Sequence, residues 1–293
     1  HRDLHSFPTR RSSDLAEAGD EIILPVPYYF NHQMWLEVLG IKAVHLGCNM
    51  SQGGLPEIDE ARRLISRKTK AIVLVTPNNP TGATYPPDLL RGFFKLCQKH
   101  GIKLIIDETY KDFLTEQPPH QLFEISDWGG TLIQVYSFSK CFSLTGYRVG
   151  SVIAGENVIE SVTKIMDSVA ICAPRIAQDA ALYGLEHLTS WVAEKRNMLK
   201  RRRELFNKLF RENNLSFEVI SSGAYFAYVE HQYDNKNAYQ VAQDLLDKEN
   251  ILSLPGTFFG PNQERFLRFA YANITRKEIT DVIDRLNVSF NKP

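Results

Sequence analysis

The stretch YSFSKCFSLTGYRVG, residues 136–150, places one lysine among groups that bind anions. Ser137 and Ser139 stand one residue apart, Lys140 follows directly, and Arg148 comes eight residues later. Hydroxyl donors and a planar guanidinium suit a phosphate group. A lysine beside a cation or in a dry pocket has a lowered pKa and can form an imine. Taken alone, the motif favours a solvated lysine in a serine-rich turn, and the rest of the chain decides against that interpretation.

The composition limits the class of protein. The chain has 293 residues, and its 34 Lys plus Arg are balanced by 34 Asp plus Glu, which predicts no nucleic-acid partner. Four widely spaced cysteines without a Cys-x-x-Cys pair predict reduced thiols in a cytoplasmic protein and no metal site. No apolar run approaches membrane-spanning length and no signal peptide is visible, so we expect no membrane contact.

The first fifteen residues, HRDLHSFPTRRSSDL, differ in character from the rest of the chain. They show no hydrophobic periodicity and resemble translated sequencing-adapter read-through. We therefore interpret residues 1–15 as a non-native leader and exclude them from fold reasoning. The domain-like pattern of the remaining sequence begins at Ala16 without a leading segment of its own. This predicts a domain that is truncated at its N-terminus.

From Ala16 onward, short apolar runs alternate with helical patterns. Buried strands are predicted at residues 70–75, 102–106 and 131–136, with a helical pattern before each of the first two. Apolar β-branched runs separated by helices predict an α/β fold, with a mostly parallel sheet covered by helices on both faces. Ligands of such sheets bind beyond the carboxyl ends of the strands. The residues that follow each strand are therefore candidate site residues.

Three strand ends carry aromatic or polar groups in addition to the lysine segment. Tyr29 follows the first strand in an aromatic cluster, and Asn79 follows the strand at 70–75 within a turn. Asp107 comes directly after the strand at 102–106, with Tyr110 three residues on. Singly, these residues are explained by loop packing, turn chemistry or an exposed acid. Together with the lysine segment they predict a site for a planar, phosphorylated, carbonyl-bearing heteroaromatic, which describes pyridoxal 5′-phosphate.

The last third of the chain predicts a second unit. An amphipathic helix from residue 191 to about residue 211 precedes strand patterns at 217–220 and 225–229. We therefore predict two domains. The first, at 16–190, is a large cofactor-binding domain that is incomplete at its N-terminus, and the second, at 191–293, is a smaller α+β domain.

Five motifs occur in a fixed order along the chain. They are NNPTG at 78–82, DETY at 107–110, SFSK at 137–140, GYRVG at 146–150 and LRFA at 267–270. The ordered set resembles the class I/II pyridoxal-phosphate-dependent aminotransferases, the aspartate-aminotransferase-like enzymes of fold type I, across nearly all of residues 16–293. The resemblance implies a ping-pong transfer of an amino group between an L-amino acid and a 2-oxo acid. It also implies a homodimer that acts in amino acid metabolism and biosynthesis.

The resemblance assigns four residues to the reacting part of the cofactor. Lys140 is expected to bind the cofactor aldehyde as an aldimine and then to act as acid and base. Asp107 is expected to pair with the pyridine nitrogen and so to keep the ring an electron sink. Asn79 and Tyr110 are expected to donate to the phenolic oxygen.

The resemblance assigns five further residues to the phosphate, the ring face and the substrate. Ser137, Ser139 and Arg148 are expected to hold the phosphate, and Tyr29 is expected to stack on the ring. Arg268 is expected to clamp the substrate α-carboxylate, because a guanidinium matches a carboxylate with two parallel hydrogen bonds. Without the resemblance, Arg268 reads as an edge-strand arginine that faces water.

The family pattern and this sequence also differ. The family places a Gly/Ser/Ala-rich phosphate-binding turn, and a tyrosine that reaches the neighbouring subunit's phosphate, upstream of the first strand here. Residues 16–293 contain neither, so the resemblance leaves the cofactor affinity and the dimerisation of this chain open. The substrate side chain is not readable; Tyr28, Phe30 and Phe258 are compatible with apolar or aromatic substrates.

Two other functions remain compatible with the sequence. A pyridoxal-phosphate-dependent β-lyase shares the scaffold and the early chemical steps, and pocket geometry decides between the two outcomes. A non-catalytic aminotransferase-like sensor domain of a transcription regulator keeps the same residues for cofactor binding. A winged-helix segment upstream in the parent gene would indicate the sensor.

Overall fold

The structure, a computed structural model, describes residues 15–115 and 120–290. The interpretation of residues 1–15 as a leader falls outside the described residues except for Leu15. Among the described helices, none has the length and apolar character needed to cross a membrane.

The first half of the chain forms one sheet. Its strands are β1 Glu21–Val26, β2 Lys42–Asn49, β3 Leu55–Pro56, β4 Thr69–Val75, β5 Lys103–Asp107, β6 Leu132–Ser137 and β7 Gly150–Ala154. Their order is β3-β2-β1-β4-β5-β6-β7. The five central strands are mutually parallel, and only β3 and β7 pair antiparallel with their neighbours. The predicted mostly parallel sheet is confirmed.

Helices accompany this sheet. They are α1 Phe30–Val38, α2 Ile58–Leu64, α3 Pro87–His100, α4 Phe138–Cys141, α5 Glu156–Val169 and α6 Arg175–His187. Helix α3 begins at Pro87 and ends at Gly101, which takes the left-handed conformation at φ 66°, as the sequence predicts. Its apolar residues Phe93 and Phe94 are fully buried in one core with Ile72 and Leu104 of the sheet. This packing fixes the strands whose ends carry the candidate site.

The last part of the chain forms a second, antiparallel sheet. Its strands are β8 Phe217–Gly223, β9 Phe226–His231, β10 Leu254–Pro255 and β11 Phe266–Ala270, in the order β10-β11-β9-β8. Helices α7 Thr189–Glu212, α8 Ala238–Glu249 and α9 Arg276–Ser289 cover it. Strand β11 lies between β10 and β9. The alternative that Arg268 is an edge-strand arginine is therefore wrong.

Two glycines bring the sheets into backbone contact. Gly82, in the loop after β4, has φ +71°, and a Cβ there would lie 2.3 Å from the Gly223 nitrogen. A Cβ on Gly223 would lie 2.1 Å from the Gly82 oxygen, so neither position accepts a larger residue without movement. The Ser221 hydroxyl donates to the Thr81 oxygen at 2.8 Å beside them. This seam holds the loop that carries Asn79 against the β8–β9 hairpin.

Two helices of the second unit begin with a capping box. At α9 the Glu278 nitrogen donates to Thr275 Oγ1 at 3.2 Å, and the Thr275 nitrogen donates to Glu278 Oε2 at 2.6 Å. The sequence predicts this box from Thr275-x-x-Glu278. At α8 the same exchange joins Asn237 and Gln240, which the sequence analysis did not identify.

Candidate active site

A cleft of about 1020 Å³ opens where strands β4, β5 and β6 end. All nine predicted site residues line it, namely Tyr29, Asn79, Asp107, Tyr110, Ser137, Ser139, Lys140, Arg148 and Arg268. The first eight follow strands of the parallel sheet and form what we call the strand-end wall. Arg268 belongs to the opposite side, the second-sheet wall, which is formed by α7, β11 and the residues around them.

The register of the sheet explains why the strand ends meet. Val75 pairs with Asp107, and Asp107 pairs with Val135, so β4, β5 and β6 reach the same edge together. Parallel strands present their carboxyl ends on one side of the sheet. The loops that follow are consequently neighbours although they are about thirty residues apart in sequence.

Lys140 lies in the short helix α4, directly after β6. Ser137 caps this helix, because its Oγ accepts from the Ser139 nitrogen at 3.3 Å. Burial is the main cause that lowers the pKa of Lys140, and the positive charges of Arg148 and Arg268 lower it further. A larger fraction of its amine is therefore neutral and nucleophilic near neutral pH than for an exposed lysine.

Asp107 is the last residue of β5 and is held as a carboxylate. Its Oδ1 accepts from the Thr109 nitrogen at 3.0 Å and from Thr109 Oγ1 at 2.7 Å, while its Oδ2 lies 3.3 Å from His32 Nε2. Burial alone would raise the pKa of Asp107. The hydrogen bond and charge of His32 and the two Thr109 bonds outweigh burial and lower it. Asp107 therefore presents a negative charge at the cleft.

His32 is a residue that the sequence analysis missed. It lies on α1 three residues after Tyr29, and the two rings meet edge-on at 5.7 Å. Its Nδ1 is buried and has no hydrogen-bond partner among the described residues. The signal that could have found it is its closeness in sequence to Tyr29, the residue before α1, because His32 lies in the first turn of that helix.

Arg268 connects the two walls of the cleft. Its Nη1 donates to Asn79 Oδ1 at 2.7 Å, which leaves the Nδ2 group of Asn79 free to donate elsewhere. The guanidinium carbon lies over the rings of Phe226 and Phe259, at 4.6 and 5.1 Å from their centroids. Arg268 Nε is buried and makes no hydrogen bond within the described residues. An oriented guanidinium with an unused buried donor is suited to an anion.

Tyr110 meets the second-sheet wall through ring contacts. Its ring lies edge-on to Tyr225 at 5.2 Å and to Phe226 at 5.6 Å. Burial raises the pKa of Tyr110, so its hydroxyl remains a donor. The Tyr225 hydroxyl donates to the Lys140 backbone oxygen at 3.3 Å. The two tyrosines thus place the loop after β5 next to the lysine turn.

The remaining predicted residues lie at the rim. Arg148 has φ 53° and is exposed, and its Nη1 donates to the Thr145 oxygen at 2.9 Å. The Tyr29 hydroxyl accepts from Asn31 Nδ2 at 3.0 Å. Tyr29 therefore faces the cleft with an aromatic ring, and Arg148 with a cation that has no acidic partner among residues 15–115 and 120–290.

The structure adds a stripe of residues on α7 that the sequence analysis described only as part of an amphipathic helix. Trp191, Lys195, Met198 and Arg202 of α7, spaced by four, three and four residues, all line the cleft. Among the three aromatic residues considered for substrate contact, Phe30 lines the cleft, whereas Tyr28 packs on an apolar cluster under the sheet and Phe258 is half exposed outside it. The spacing of α7 predicted one helix face but not what that face meets.

The comparisons with known proteins agree with this geometry. The model of the family "Aminotransferase class I and II" matches residues 14–286. The chain is 29% identical over 275 residues to the aspartate aminotransferase of Pyrococcus horikoshii, covering 93% of this chain and 70% of that protein. It is 28% identical over 278 residues to the aromatic aminotransferase ISS1 of Arabidopsis thaliana, covering 93% and 69%. A solved tetra-mutant aspartate aminotransferase of Thermus thermophilus aligns with a TM-score of 0.87 and 25% identity, over 94% of this chain and 75% of that chain.

With most of its length matched by the family model, the chain belongs to the class I and II aminotransferases. It is a transaminase that depends on pyridoxal phosphate and acts on amino acid and 2-oxo acid substrates. The predicted family, fold, cofactor and enzyme class are thereby confirmed.

Proposed function

We propose that this chain transfers an amino group between an L-amino acid and a 2-oxo acid in the cleft, with Lys140 as its central residue. The observation that carries the proposal is the convergence of nine residues, predicted from scattered motifs, on one cleft. A lysine with a lowered pKa, an ionised aspartate and an oriented arginine lie there together. Perturbed groups gathered in a cleft are typical of a catalytic site.

The donor set fits pyridoxal phosphate. Asp107 is placed to pair with the ring nitrogen, since its pKa is lowered and the carboxylate holds its charge. The hydroxyls of Ser137 and Ser139 and the Arg148 guanidinium supply donors for a phosphate. Tyr29 supplies a ring face. Lys140 supplies the amine that attaches to the cofactor aldehyde.

Asn79 and Tyr110 complete the cofactor contacts. The Oδ1 atom of Asn79 is engaged by Arg268 at 2.7 Å, so its Nδ2 group is the part left to donate to the phenolic oxygen. Tyr110 stays protonated because burial raises its pKa, and it supplies a second donor. Together they hold the ring in one orientation.

The cofactor, Lys140 and Asp107 have separate roles in the reaction. Bound pyridoxal phosphate supplies an electron-withdrawing ring that stabilises negative charge on the substrate α-carbon. Lys140 Nζ would remove the proton from that α-carbon and hold it for return. Asp107 would present its negative charge to the ring nitrogen.

Arg268 orients the substrate. Its unused Nε donor and its stacked guanidinium are suited to bind the α-carboxylate that every α-amino acid carries. The hydrogen bond to Asn79 fixes the guanidinium plane before the substrate arrives. This preorganisation directs the α-carbon toward Lys140.

A single-turnover experiment tests the function. The protein loaded with pyridoxal phosphate is mixed with one L-amino acid at a time and no 2-oxo acid acceptor. We expect one equivalent of 2-oxo acid per site and then a stop, with turnover restored by adding 2-oxoglutarate. Continued release of pyruvate and ammonia without an acceptor would show a β-lyase instead. No reaction with any amino acid, despite bound cofactor, would favour the sensor domain.

The proposal also covers the compartment, the metabolic role and the domain organisation of the enzyme. We place it in the cytoplasm, in amino acid metabolism and biosynthesis; all four cysteines are free, as in a reducing compartment. We also propose a large domain at 16–190 and a small domain at 191–293, which is supported by the two separate sheets. Limited proteolysis with mass spectrometry should cut near residue 190 before it cuts inside either unit.

We further propose that the protein forms a homodimer. Helix α5 buries none of its residues, and Ile165 and Val169 on it are exposed together with Ile176 and Leu185 of α6. Exposed apolar side chains in this number favour a contact with a second copy. Analytical ultracentrifugation should show twice the chain mass; a monomer at micromolar concentration would contradict this part.

A further inference from the structure

We propose that Tyr136 is a positioning residue for Lys140, acting through a hydrogen-bonded link that joins Asp112, Tyr136 and Cys141 beside the cleft. This inference rests on the proposed function of Lys140 but concerns residues that have no role in it. None of the three lines the cleft.

The contacts are direct. The Tyr136 hydroxyl donates to Asp112 Oδ2 at 2.5 Å and lies 2.8 Å from Cys141 Sγ. The single proton of the hydroxyl is shared between the carboxylate and the sulfur, and the Cys141 thiol in turn donates to the Phe138 oxygen at 3.7 Å. Burial raises the pKa of both Tyr136 and Cys141, so both keep the protons that this arrangement needs.

The link joins the two segments that carry the candidate catalytic groups. Asp112 follows Tyr110 by two residues in the loop after β5, and Cys141 is the residue next to Lys140 in α4. Tyr136 itself is the penultimate residue of β6, so it is anchored by the sheet. A movement of either segment would have to break a hydrogen bond to the same phenol.

The surroundings of Tyr136 hold its ring in place. The ring lies edge-on to Phe138 at 5.1 Å, and Lys111 Nζ lies 5.0 Å above its centroid. Tyr225 makes a similar bridge from the second-sheet wall, with its hydroxyl on the Lys140 oxygen and its ring on Phe113 at 5.1 Å. The lysine turn is therefore tied to the loop after β5 by two tyrosines.

The link through Tyr136 is expected to control how far the Lys140 amine is buried. Burial is the main cause that lowers the pKa of Lys140, and that burial depends on the position of α4. Without the phenol hydroxyl, α4 would lose one of its two ties, and the amine would move toward water. We expect the pKa of Lys140 to rise toward its ordinary value.

The test compares Tyr136→Phe with Tyr228→Phe. Tyr228 is the control because it too is a strand tyrosine with a hydrogen-bonded hydroxyl, which lies 2.8 Å from Gln263 Oε1, and it does not line the cleft. In the cofactor-free protein, competitive acetylation of Lys140 over a pH series, read by peptide mass spectrometry, gives its pKa. Quenching of tryptophan fluorescence gives the dissociation constant for pyridoxal phosphate.

We expect Tyr136→Phe to raise the pKa of Lys140 by about half a unit, a roughly threefold change in its protonation equilibrium. We expect it to weaken cofactor binding by about threefold to tenfold. Tyr228→Phe should change neither quantity, even where it lowers the melting temperature. If Tyr136→Phe lowers the melting temperature but leaves the Lys140 pKa and the dissociation constant at parental values, Tyr136 is merely structural and the proposal is overturned.

A second variant tests the proposal if Tyr136→Phe does not fold. Asp112→Asn keeps the shape and an acceptor oxygen but loses the charge, so it should move both readouts in the same direction by a smaller amount. Unchanged values in a folded Asp112→Asn protein would also overturn the proposal. If the parent binds no pyridoxal phosphate, the proposed function fails, whereas the Lys140 titration in the cofactor-free protein still decides whether the link positions the amine.

Discussion

The two walls of the cleft are built in different ways. The strand-end wall takes its groups from the last residues of parallel strands and the residues that follow them, so Asp107 and Lys140 arrive there by the geometry of one sheet. The second-sheet wall takes its groups from within elements, such as Arg268 in the middle of β11 and the stripe on α7. The strand-end wall depends on the pairing of neighbouring strands within one sheet. The second-sheet wall depends on how its helix and strands pack against that sheet. Substitutions in the two walls should therefore fail in different ways.

The largest effect is expected at the centre of the strand-end wall. Lys140→Ala removes the amine that attaches the cofactor and moves the proton, so kcat/KM should fall by at least about 10⁴-fold. Steady-state transamination measures this, and circular dichroism should show an unchanged fold. Lys164→Ala, an exposed lysine on α5, is the control and should match the parent. Substantial residual activity of Lys140→Ala would remove Lys140 from the mechanism.

The next effect should come from the second-sheet wall. Arg268→Lys keeps the charge but loses the planar fork and the Asn79 contact, so the KM for amino acids should rise by about 10-fold to 100-fold. The control is Arg265→Lys, three residues away, where the side chain pairs with Glu230 and Asp234 at the surface. Equal KM values for Arg268→Lys and Arg265→Lys would show that Arg268 does not bind the carboxylate.

A pH series tests whether His32 stabilises the ionised form of Asp107. Its folded pKa lies below the ordinary 3.8, so its contribution to stability is complete above that value and is lost as pH falls through the folded pKa. In His32→Leu, Asp107 loses the hydrogen bond and the charge that lower its pKa most, so the loss should begin at higher pH. Urea unfolding from pH 3 to pH 7 measures this shift. His187→Leu, an exposed histidine at the end of α6, should follow the parental curve, and a His32→Leu curve that coincides with it would contradict the account.

The seam between the walls should respond to added volume. Gly223→Ala brings a Cβ to 2.1 Å from the Gly82 oxygen, so the free energy of unfolding should fall by about 1–3 kcal/mol. The KM for amino acids should rise as well, because the loop that carries Asn79 is displaced from Arg268. Gly130→Ala, where a Cβ meets open space and, as at Gly223, φ is not positive, controls for the loss of a glycine. An unchanged KM in Gly223→Ala would mean that the seam does not align the two walls.

The smallest effect lies away from both walls. Asn237→Ala removes the capping box at the start of α8 and should lower the free energy of unfolding by about 1 kcal/mol. Transamination kinetics should stay at parental values, because Asn237 does not line the cleft. A change in KM in this variant would show that stability, rather than contact, governs the kinetic effects seen elsewhere.

The difference between the walls also explains what the sequence could predict. Residues after buried strands were identifiable, because strand runs are short, apolar and followed by turn residues, as at Asp107. The meeting of Gly82 with Gly223 was not identifiable, since no local pattern relates positions so distant in sequence. The α7 stripe has the same spacing as a core-facing stripe, so only packing decides its role. His32 was missed because it lies on α1, whereas its partner Asp107 lies at the end of β5, far away in sequence.

The link through Tyr136 shows the same limit. Tyr136 reads as an ordinary strand residue before the SFSK motif, and Asp112 reads as a surface acid. Their hydroxyl–carboxylate contact exists only because β5 and β6 are neighbours in the sheet. Strand order, rather than residue type, brings these two side chains together.

Borohydride reduction of the protein with pyridoxal phosphate, followed by peptide mass spectrometry, tests the central assignment most directly. The account predicts a phosphopyridoxyl group on Lys140 in the peptide that contains SFSK, with little on exposed lysines such as Lys164. A folded protein that carries the group only on other lysines, with Lys140 unmodified, would contradict the account.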